Sequence, residues 1–310
     1  MALLVTGAHA QDFPTKPLRI VVPWPPAGNV DITARTVAPA FGEALGQQVI
    51  VENRAGAGGR IGTEAVVKSP PDGYTLLLGS SGTVTAGPAV WKNLSFDPLK
   101  DLVPVGPIQS VPIVLTLAQK TNAANYAEFV ALVKAKPGQV SMASAGNGSS
   151  NHLAIELWMR QANLQVLHVP YKGSGPALTD LIGSQVQSMM DQLTASIGHI
   201  KEGRIRAVAI SSLKRSPLLP NVPTLDELGV KGYEAATFTG IFAPAGTPPA
   251  AMQKLSVALR RALSQQAVRE RYQAMGVEVM DMSQAQFASY VRSDWGKWHK
   301  VARDGNISVE

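Results

Sequence analysis

Short runs of aliphatic and β-branched residues alternate along this chain with longer stretches whose apolar positions recur every three or four residues. The first pattern has the period of a strand and the second that of a helix. Leu18-Arg19-Ile20-Val21-Val22 is the first run, and after a loop rich in Pro and Gly, residues 31–45 put Val37, Phe41, Ala44 and Leu45 on one helical face. Strands are expected near 49–51, 74–78 and 103–108, with helices near 61–68 and 84–91 between them. A second series repeats the rhythm, with strands at 113–117, 140–142, 166–168, 186–190 and 205–210 and helices at 126–135, 151–161, 175–182 and 195–202. Pro217, Pro220 and Pro223 punctuate the next segment, before a strand at 236–243 and helices at 248–263, 267–275 and 284–302.

Strands alternating with helices predict an α/β fold with mostly parallel sheets. A length of 310 residues suits two domains. The last three helices bring too few strands for a third sheet, so they are expected to return to the first domain. That gives a discontinuous domain of residues 12–111 plus 238–310, an inserted domain of residues 112–237, and two strands crossing between them as a hinge. In such architectures ligands bind in the cleft facing the carboxyl ends of the strands.

Composition narrows the class. Hydrophobic residues make up 45% of the chain and charged residues 16%, too apolar for disorder. No apolar run is long enough to span a bilayer. The absence of cysteine excludes disulfides, thiolate metal sites, iron–sulfur clusters and cysteine nucleophiles together. The net charge of +6 contains no basic run, so nucleic acid is not an expected partner. Residues 1–10 carry a short apolar stretch and then Ala8-His9-Ala10, the A-x-A pattern that precedes signal-peptide cleavage. They read as the remnant of a secretory signal, and an exported protein without free thiols suits an oxidising compartment.

Catalytic signatures are near misses. Gly56-Ala57-Gly58-Gly59-Arg60-Ile61 and Gly146-Asn147-Gly148 both lack the third glycine of a dinucleotide loop. There is no Walker lysine pattern, no G-x-S-x-G and no H-E-x-x-H. His9, His152, His168, His199 and His299 are scattered singly, so neither a metal nor a cofactor is expected. A serine nucleophile at Ser80, Ser81 or Ser149 remains as a rival, an exported hydrolase whose partners would meet only in space.

Three loops of small residues lie where strands end and helices begin: Pro23-Trp24-Pro25-Pro26-Ala27-Gly28-Asn29-Val30-Asp31, Gly79-Ser80-Ser81-Gly82-Thr83 and Ser144-Ala145-Gly146-Asn147-Gly148-Ser149-Ser150. Glycine lets backbone approach a ligand, and helix N-termini present unpaired N–H groups at the positive end of the dipole. No lysine or arginine lies in these loops. An anion held there would be gripped by main-chain donors and hydroxyls, without an ion pair. Trp24 is positioned for an apolar wall, or for packing between helices. Asp191 falls at the end of a strand, where it would take a ligand ammonium or hydroxyl or anchor neighbouring N–H groups. Asn53 and Arg54 are expected to tie down the loop at 56–59, and a side chain added at Gly148 is expected to intrude on the ligand.

These blocks carry a family likeness. Residues 18–26 with Gly28 and Asp31, the run Val51-Glu52-Asn53-Arg54-Ala55-Gly56-Ala57-Gly58-Gly59, Pro71-Asp72-Gly73-Tyr74-Thr75-Leu76-Leu77, the loop 144–150 with His152, His168-Val169-Pro170-Tyr171-Lys172-Gly173, and Ala243-Pro244-Ala245-Gly246-Thr247-Pro248-Pro249 occur in order. Together they resemble the extracytoplasmic substrate-binding proteins of tripartite tricarboxylate transporters, the Bordetella uptake gene (Bug) family. The resemblance implies a two-domain periplasmic-binding-protein fold of the Venus-flytrap type, type II-like. Such a protein is a non-enzymatic, monomeric receptor that closes over a small carboxylate in the periplasm and delivers it to a membrane permease. The ligand would be a di- or tricarboxylate, an acidic amino acid or an aromatic acid. By position it implies ligand contacts from Trp24, Ala27, Gly28, Ser80, Ser81, Ala145, Asn147, Gly148 and Ser149, with Asp191 governing specificity. Ala27 and Val30 depart from the family's usual glycine and small polar residue. A ligand-sensing module without transport is the other reading open at this point.

Overall fold

The computed structural model describes residues 13–309, so the A-x-A segment lies outside the described residues. In chain order the elements are β1 (Leu18–Val22), α1 (Asn29–Leu45), β2 (Val49–Asn53), a 3-10 turn (Ala57–Gly59), α2 (Arg60–Val67), β3 (Thr75–Ser80), a π-helical turn (Ser81–Thr85), α3 (Pro98–Asp101) and β4 (Leu102–Ala118). They continue with α4 (Tyr126–Ala135), β5 (Ser141–Ser144), α5 (Ser150–Ala162), β6 (Leu167–Pro170), α6 (Ser174–Ile182), β7 (Ser188–Gln192), α7 (Leu193–Lys201) and β8 (Ile205–Ile210). β9 (Ala236–Pro244), α8 (Pro249–Ser264), α9 (Gln266–Ala274), β10 (Glu278–Val279) and α10 (Gln284–Gly305) complete the chain.

The strands join in the order β2-β1-β3-β9-β4-β7-β5-β6, with β8 and β10 also pairing β4. Both ends of the sheet are parallel, β1 with β2 and β3, and β5 with β6 and β7. Every antiparallel pair involves β4 or β9. The sheet is therefore mixed, where βα alternation alone suggests mostly parallel pairing. β4 is one 17-residue strand in place of the two expected at 103–108 and 113–117. Its prolines suggest a break, since each removes a ladder donor. Register shifts between Pro104 and Gly106 and between Pro107 and Gln109 absorb two of them, so the strand runs on. Its first part pairs β9 and its last part pairs β7 and β8, so this one strand ties both ends of the sheet together.

Apolar faces pack on each end. Leu18, Ile20, Phe41, Leu76, Ile241 and Leu255 belong to one cluster. Leu115, Phe129, Met142, Trp158 and Tyr233 belong to another, which also takes Trp298 and Ala302 from α10. The same helix places Phe287 and Val291 in a third cluster with Phe238 and Phe242, so α10 braces both ends. Several helices start where their caps dictate: Asn125 accepts the Glu128 N–H at 3.0 Å, and Ser283 and Gln286 form a reciprocal capping box. The helix expected at 84–91 is a π-helical turn followed by further turns. Pro88 lacks the N–H a helix needs. Gly87 is pressed so closely against the chain that an added Cβ would stand 2.3 Å from the Gly82 carbonyl.

Candidate functional site

A cleft opens where β1, β3, β5 and β7 end and α1, α5 and α6 begin. Trp24, Gly28 and Asn29 line it from the first loop, Ser80 from β3, Ala145 from the loop after β5, Ser150 and Asn151 from the start of α5, Ser174 from α6, Gln192 from β7 and Thr237 from β9. No ionisable side chain is among the residues lining it. The first turns of three helices meet there, and each leaves N–H groups without helical acceptors beside the positive end of its dipole. Such a surface favours an anion without supplying a counter-charge.

The first loop is held from behind. Asp31 accepts the Ala27 N–H at 3.0 Å, Arg35 Nε at 3.0 Å and Asn53 Nδ2 at 2.9 Å. Burial alone would raise the Asp31 carboxyl, but the bonds from Arg35, Asn53 and Ala27 outweigh it and hold its pKa below the usual value. Asn53 Nδ2 also reaches the Trp24 carbonyl at 3.0 Å. Asn53 thus braces the first loop and not the loop at 56–59, while Arg54 turns to Glu52. Ala27 sits at φ 67°, the left-handed region where the resembled family often has glycine. The Trp24 indole lies over Gly59 and Gly82, where added Cβ atoms would stand 3.3 and 3.2 Å from its ring.

Two buried donors in the cleft have no hydrogen-bond partner, Trp24 Nε1 and Asn29 Nδ2. A buried polar atom left unpaired costs about 1–3 kcal/mol. Two of them on residues that line one cleft mark it as a place for an acceptor.

The floor is a polar network anchored on Asp191, which is fully buried. Its Oδ1 accepts Asn151 Nδ2 at 2.9 Å and Ser174 Oγ at 2.6 Å, and its Oδ2 accepts Ser196 Oγ at 3.2 Å. Burial pushes its pKa up to about 6, against the pull of those donors. Gln192 Nε2 donates to Ser150 Oγ at 3.1 Å and to Asn151 Oδ1 at 2.9 Å, which joins the floor to α5.

Of the residues expected at the site, Trp24, Gly28, Ser80 and Ala145 line the cleft. Ala27 stands beside it, and Asp191 lies beneath the lining, holding Ser174 and Asn151. Ser81 is turned away, accepting the Phe238 N–H at 3.1 Å. Ser149 caps α5 through the His152 N–H at 3.2 Å. Asn147 borders an adjoining groove with Gly58, Arg60 and Trp91. Gly148 faces Trp91, whose Nε1 would stand 2.2 Å from an added Cβ, so a side chain there meets the indole and not the cleft. Asn29, Ser150, Asn151, Ser174, Gln192 and Thr237 are not among the expected residues. A polar residue one or two places inside a helix start is the available signal for four of them. Gln192 and Thr237 give none, since strand residues declare their face only once the partners are known.

Ser144 Oγ lies 2.7 Å from His168 Nε2, and the His168 ring stacks on His152 with centroids 4.2 Å apart. Burial and the neighbouring His152 push the His168 pKa down to about 3, which makes it a poor proton acceptor for a serine nucleophile. Gly148 N–H reaches His152 Nδ1 at 3.3 Å, so the pair instead supports the loop before α5. Among the described residues no group of three or more His, Asp or Glu is placed to hold a metal.

The chain is 38% identical over 308 residues to Protein BugT of Bordetella pertussis, an alignment covering 99% of this chain and 94% of the relative. It superposes on the periplasmic binding protein BugD with a TM-score of 0.92 at 34% identity, covering 96% of this chain and 100% of that one. A R. palustris protein solved with adipate, Rpa4515, gives a TM-score of 0.92 at 32% identity, over 96% of this chain and 99% of that one. MatC of Rhodopseudomonas palustris, solved with malate, gives 0.89 at 33% identity, over 93% and 99%. The family model these comparisons accompany describes receptors and not enzymes. The tripartite tricarboxylate transporter family receptor model matches residues 33–307, and this chain, with the periplasmic-binding-protein fold, belongs to that family.

Proposed function

We propose that this receptor binds a small dicarboxylate in the cleft and delivers it to the permease of a tripartite transporter in the periplasm. The observation that carries the reading is the pair of partnerless buried donors, Trp24 Nε1 and Asn29 Nδ2, in a cleft lined by no charged side chain. A carboxylate oxygen can accept both, and hydrogen bonds to a charged acceptor contribute about 1.5–3 kcal/mol each. Helix N-termini at α1, α5 and α6 add smaller, like-signed contributions. Four or so such terms approach the roughly 8 kcal/mol of a micromolar complex, an affinity that permits release. Adipate and malate in the solved relatives support the size and charge of the ligand.

In this reading residues 12–111 with 238–310 form one lobe and residues 112–237 the other, opening about β4 and β9. Trp24, Gly28, Ser80 and Ala145 touch the ligand, together with Asn29, Ser150 and Ser174. Ala27, Ser81, Asn147, Gly148, Ser149 and Asp191 shape the loops and floor that present them. The A-x-A pattern at residues 8–10 serves export to the periplasm, and the receptor acts as a monomer. Isothermal calorimetry against malate, adipate, succinate, citrate, glutamate and benzoate tests it. Micromolar binding of a dicarboxylate at one site per monomer is expected, and failure of the whole panel would count against the carboxylate.

A further inference from the structure

We infer that Gln109, a buried residue of β4 outside the cleft lining, is a positioning residue that decides which end of the Asn29 amide faces the ligand. Thr33 Oγ1 lies 2.7 Å from the Asn29 carbonyl oxygen, which can only accept, so the single hydroxyl proton is engaged there. Thr33 Oγ1 is therefore an acceptor toward Gln109 Nε2, which stands 2.5 Å away. The same Nε2 is 2.8 Å from Asn29 Oδ1. One amide group with two protons serves both acceptors, and the cluster makes three hydrogen bonds.

Reversing the Gln109 amide removes that economy. Its carbonyl oxygen would draw the Thr33 proton away from the Asn29 carbonyl, leaving two oxygens 2.7 Å apart with no proton between them. Two bonds would remain in place of three. The favoured arrangement turns Asn29 Oδ1 toward Gln109 and leaves Nδ2 of Asn29, a residue that lines the cleft, without a protein partner. It also leaves Gln109 Oε1 unpaired although the residue is fully buried, a cost accepted inside the network and not at the ligand. The polarity of the site is thus imposed by Thr33 and Gln109, neither of which lines the cleft: it selects ligands that present an acceptor to Asn29 over those that present a donor.

The consequence for binding rests on the carboxylate reading, but the orientation does not. Neutron diffraction from crystals exchanged into D2O locates the deuterons of Asn29 and Gln109 without any ligand. Both Asn29 deuterons are expected on the cleft side, with those of Gln109 directed at Asn29 Oδ1 and Thr33 Oγ1. Deuterons of Asn29 directed at Gln109 would overturn the inference, whatever the protein binds. Adipate titrations then read the consequence. Thr33→Val should weaken binding roughly tenfold, the worth of one misdirected hydrogen bond, with Thr33→Ser recovering most of that loss. Equal affinity in Thr33→Val, in a protein that melts as the parent does, would remove Thr33 from the positioning chain. Absence of adipate binding in the parent counts against the carboxylate reading alone and leaves the deuteron positions to decide the orientation.

Discussion

Ser174 Oγ donates to Asp191 Oδ1 at 2.6 Å, so a fully buried carboxylate beneath the cleft fixes a hydroxyl that lines it. Asp191→Asn exchanges one of two acceptor oxygens for an NH2 group facing donors, and it should destabilise the protein by about 1–3 kcal/mol while weakening ligand binding. The pH dependence separates charge from geometry. The Asp191 pKa in the folded protein, about 6, lies above its ordinary 3.8. Its contribution to stability is therefore complete below pH 3.8 and lost as the pH rises through 6, a change on the order of 3 kcal/mol. Urea unfolding between pH 4 and 7 should show the parent losing stability relative to Asp191→Asn as the pH rises, the difference between the two curves isolating the Asp191 contribution from opposing groups. Parallel curves would mean that the carboxyl titrates normally.

His168 works in the opposite sense over the same range. Its pKa in the folded protein, about 3, is below the ordinary 6.5 because of burial and the stacked His152. Its contribution is complete above pH 6.5 and is lost as the pH falls toward 3. The two groups partly cancel in the parent, so a flat stability profile there hides two steep ones. His168→Gln should remove the acid-side loss, making the variant relatively more stable at pH 4.5 than at pH 7 by comparison with the parent. Unfolding titrations at those two pH values check it, and an unchanged difference would mean that His168 is protonated in the native state.

How much of this site can be read without coordinates depends on what each residue needs. Helix starts rest on local relations: Ser149, Asn125 and Ser283 each cap a helix by accepting the N–H three residues on. The three loops arise from strand-to-helix punctuation, and they supply Trp24, Gly28, Ser80 and Ala145 to the cleft lining. Asn29 sits one residue beyond the expected donors, and its role depends on Gln109, 80 positions away. Thr237 joins Ser150 at 3.0 Å across 87 positions. No local period encodes such meetings. The continuity of β4 is hidden for a related reason, because a proline is a break only until a neighbouring strand is known to tolerate a bulge.

Gly148 has a demanding backbone, at φ 75°, and no room for a side chain. Gly148→Ala should cost about 1–2 kcal/mol from the left-handed backbone alone. The contact of 2.2 Å with Trp91 Nε1 adds to it, because the indole is enclosed. A total loss above about 2 kcal/mol is expected. Trp91→Phe in the same chain should recover part of it, a coupling that a double-mutant cycle measures by chemical unfolding. Additive losses would show that the strain lies in the backbone and not in the indole contact.

Trp24→Phe asks whether the cleft needs the indole ring or its N–H. Phenylalanine keeps an aromatic face over Gly59 and Gly82 but removes Nε1, a buried donor with no protein partner. Removing an unpaired buried donor relieves a desolvation cost, so the unliganded variant should melt at the parent's temperature or slightly above it. A carboxylate that accepts this N–H loses a charge-assisted bond, and affinity should fall by roughly 10–100-fold. The two effects have opposite signs only if Nε1 serves the ligand, since a packing role would lower stability and affinity together. Calorimetry with the tightest dicarboxylate of the panel, run beside thermal unfolding without ligand, distinguishes them, and unaltered affinity would leave Trp24 as a wall and Asn29 as the remaining side-chain donor.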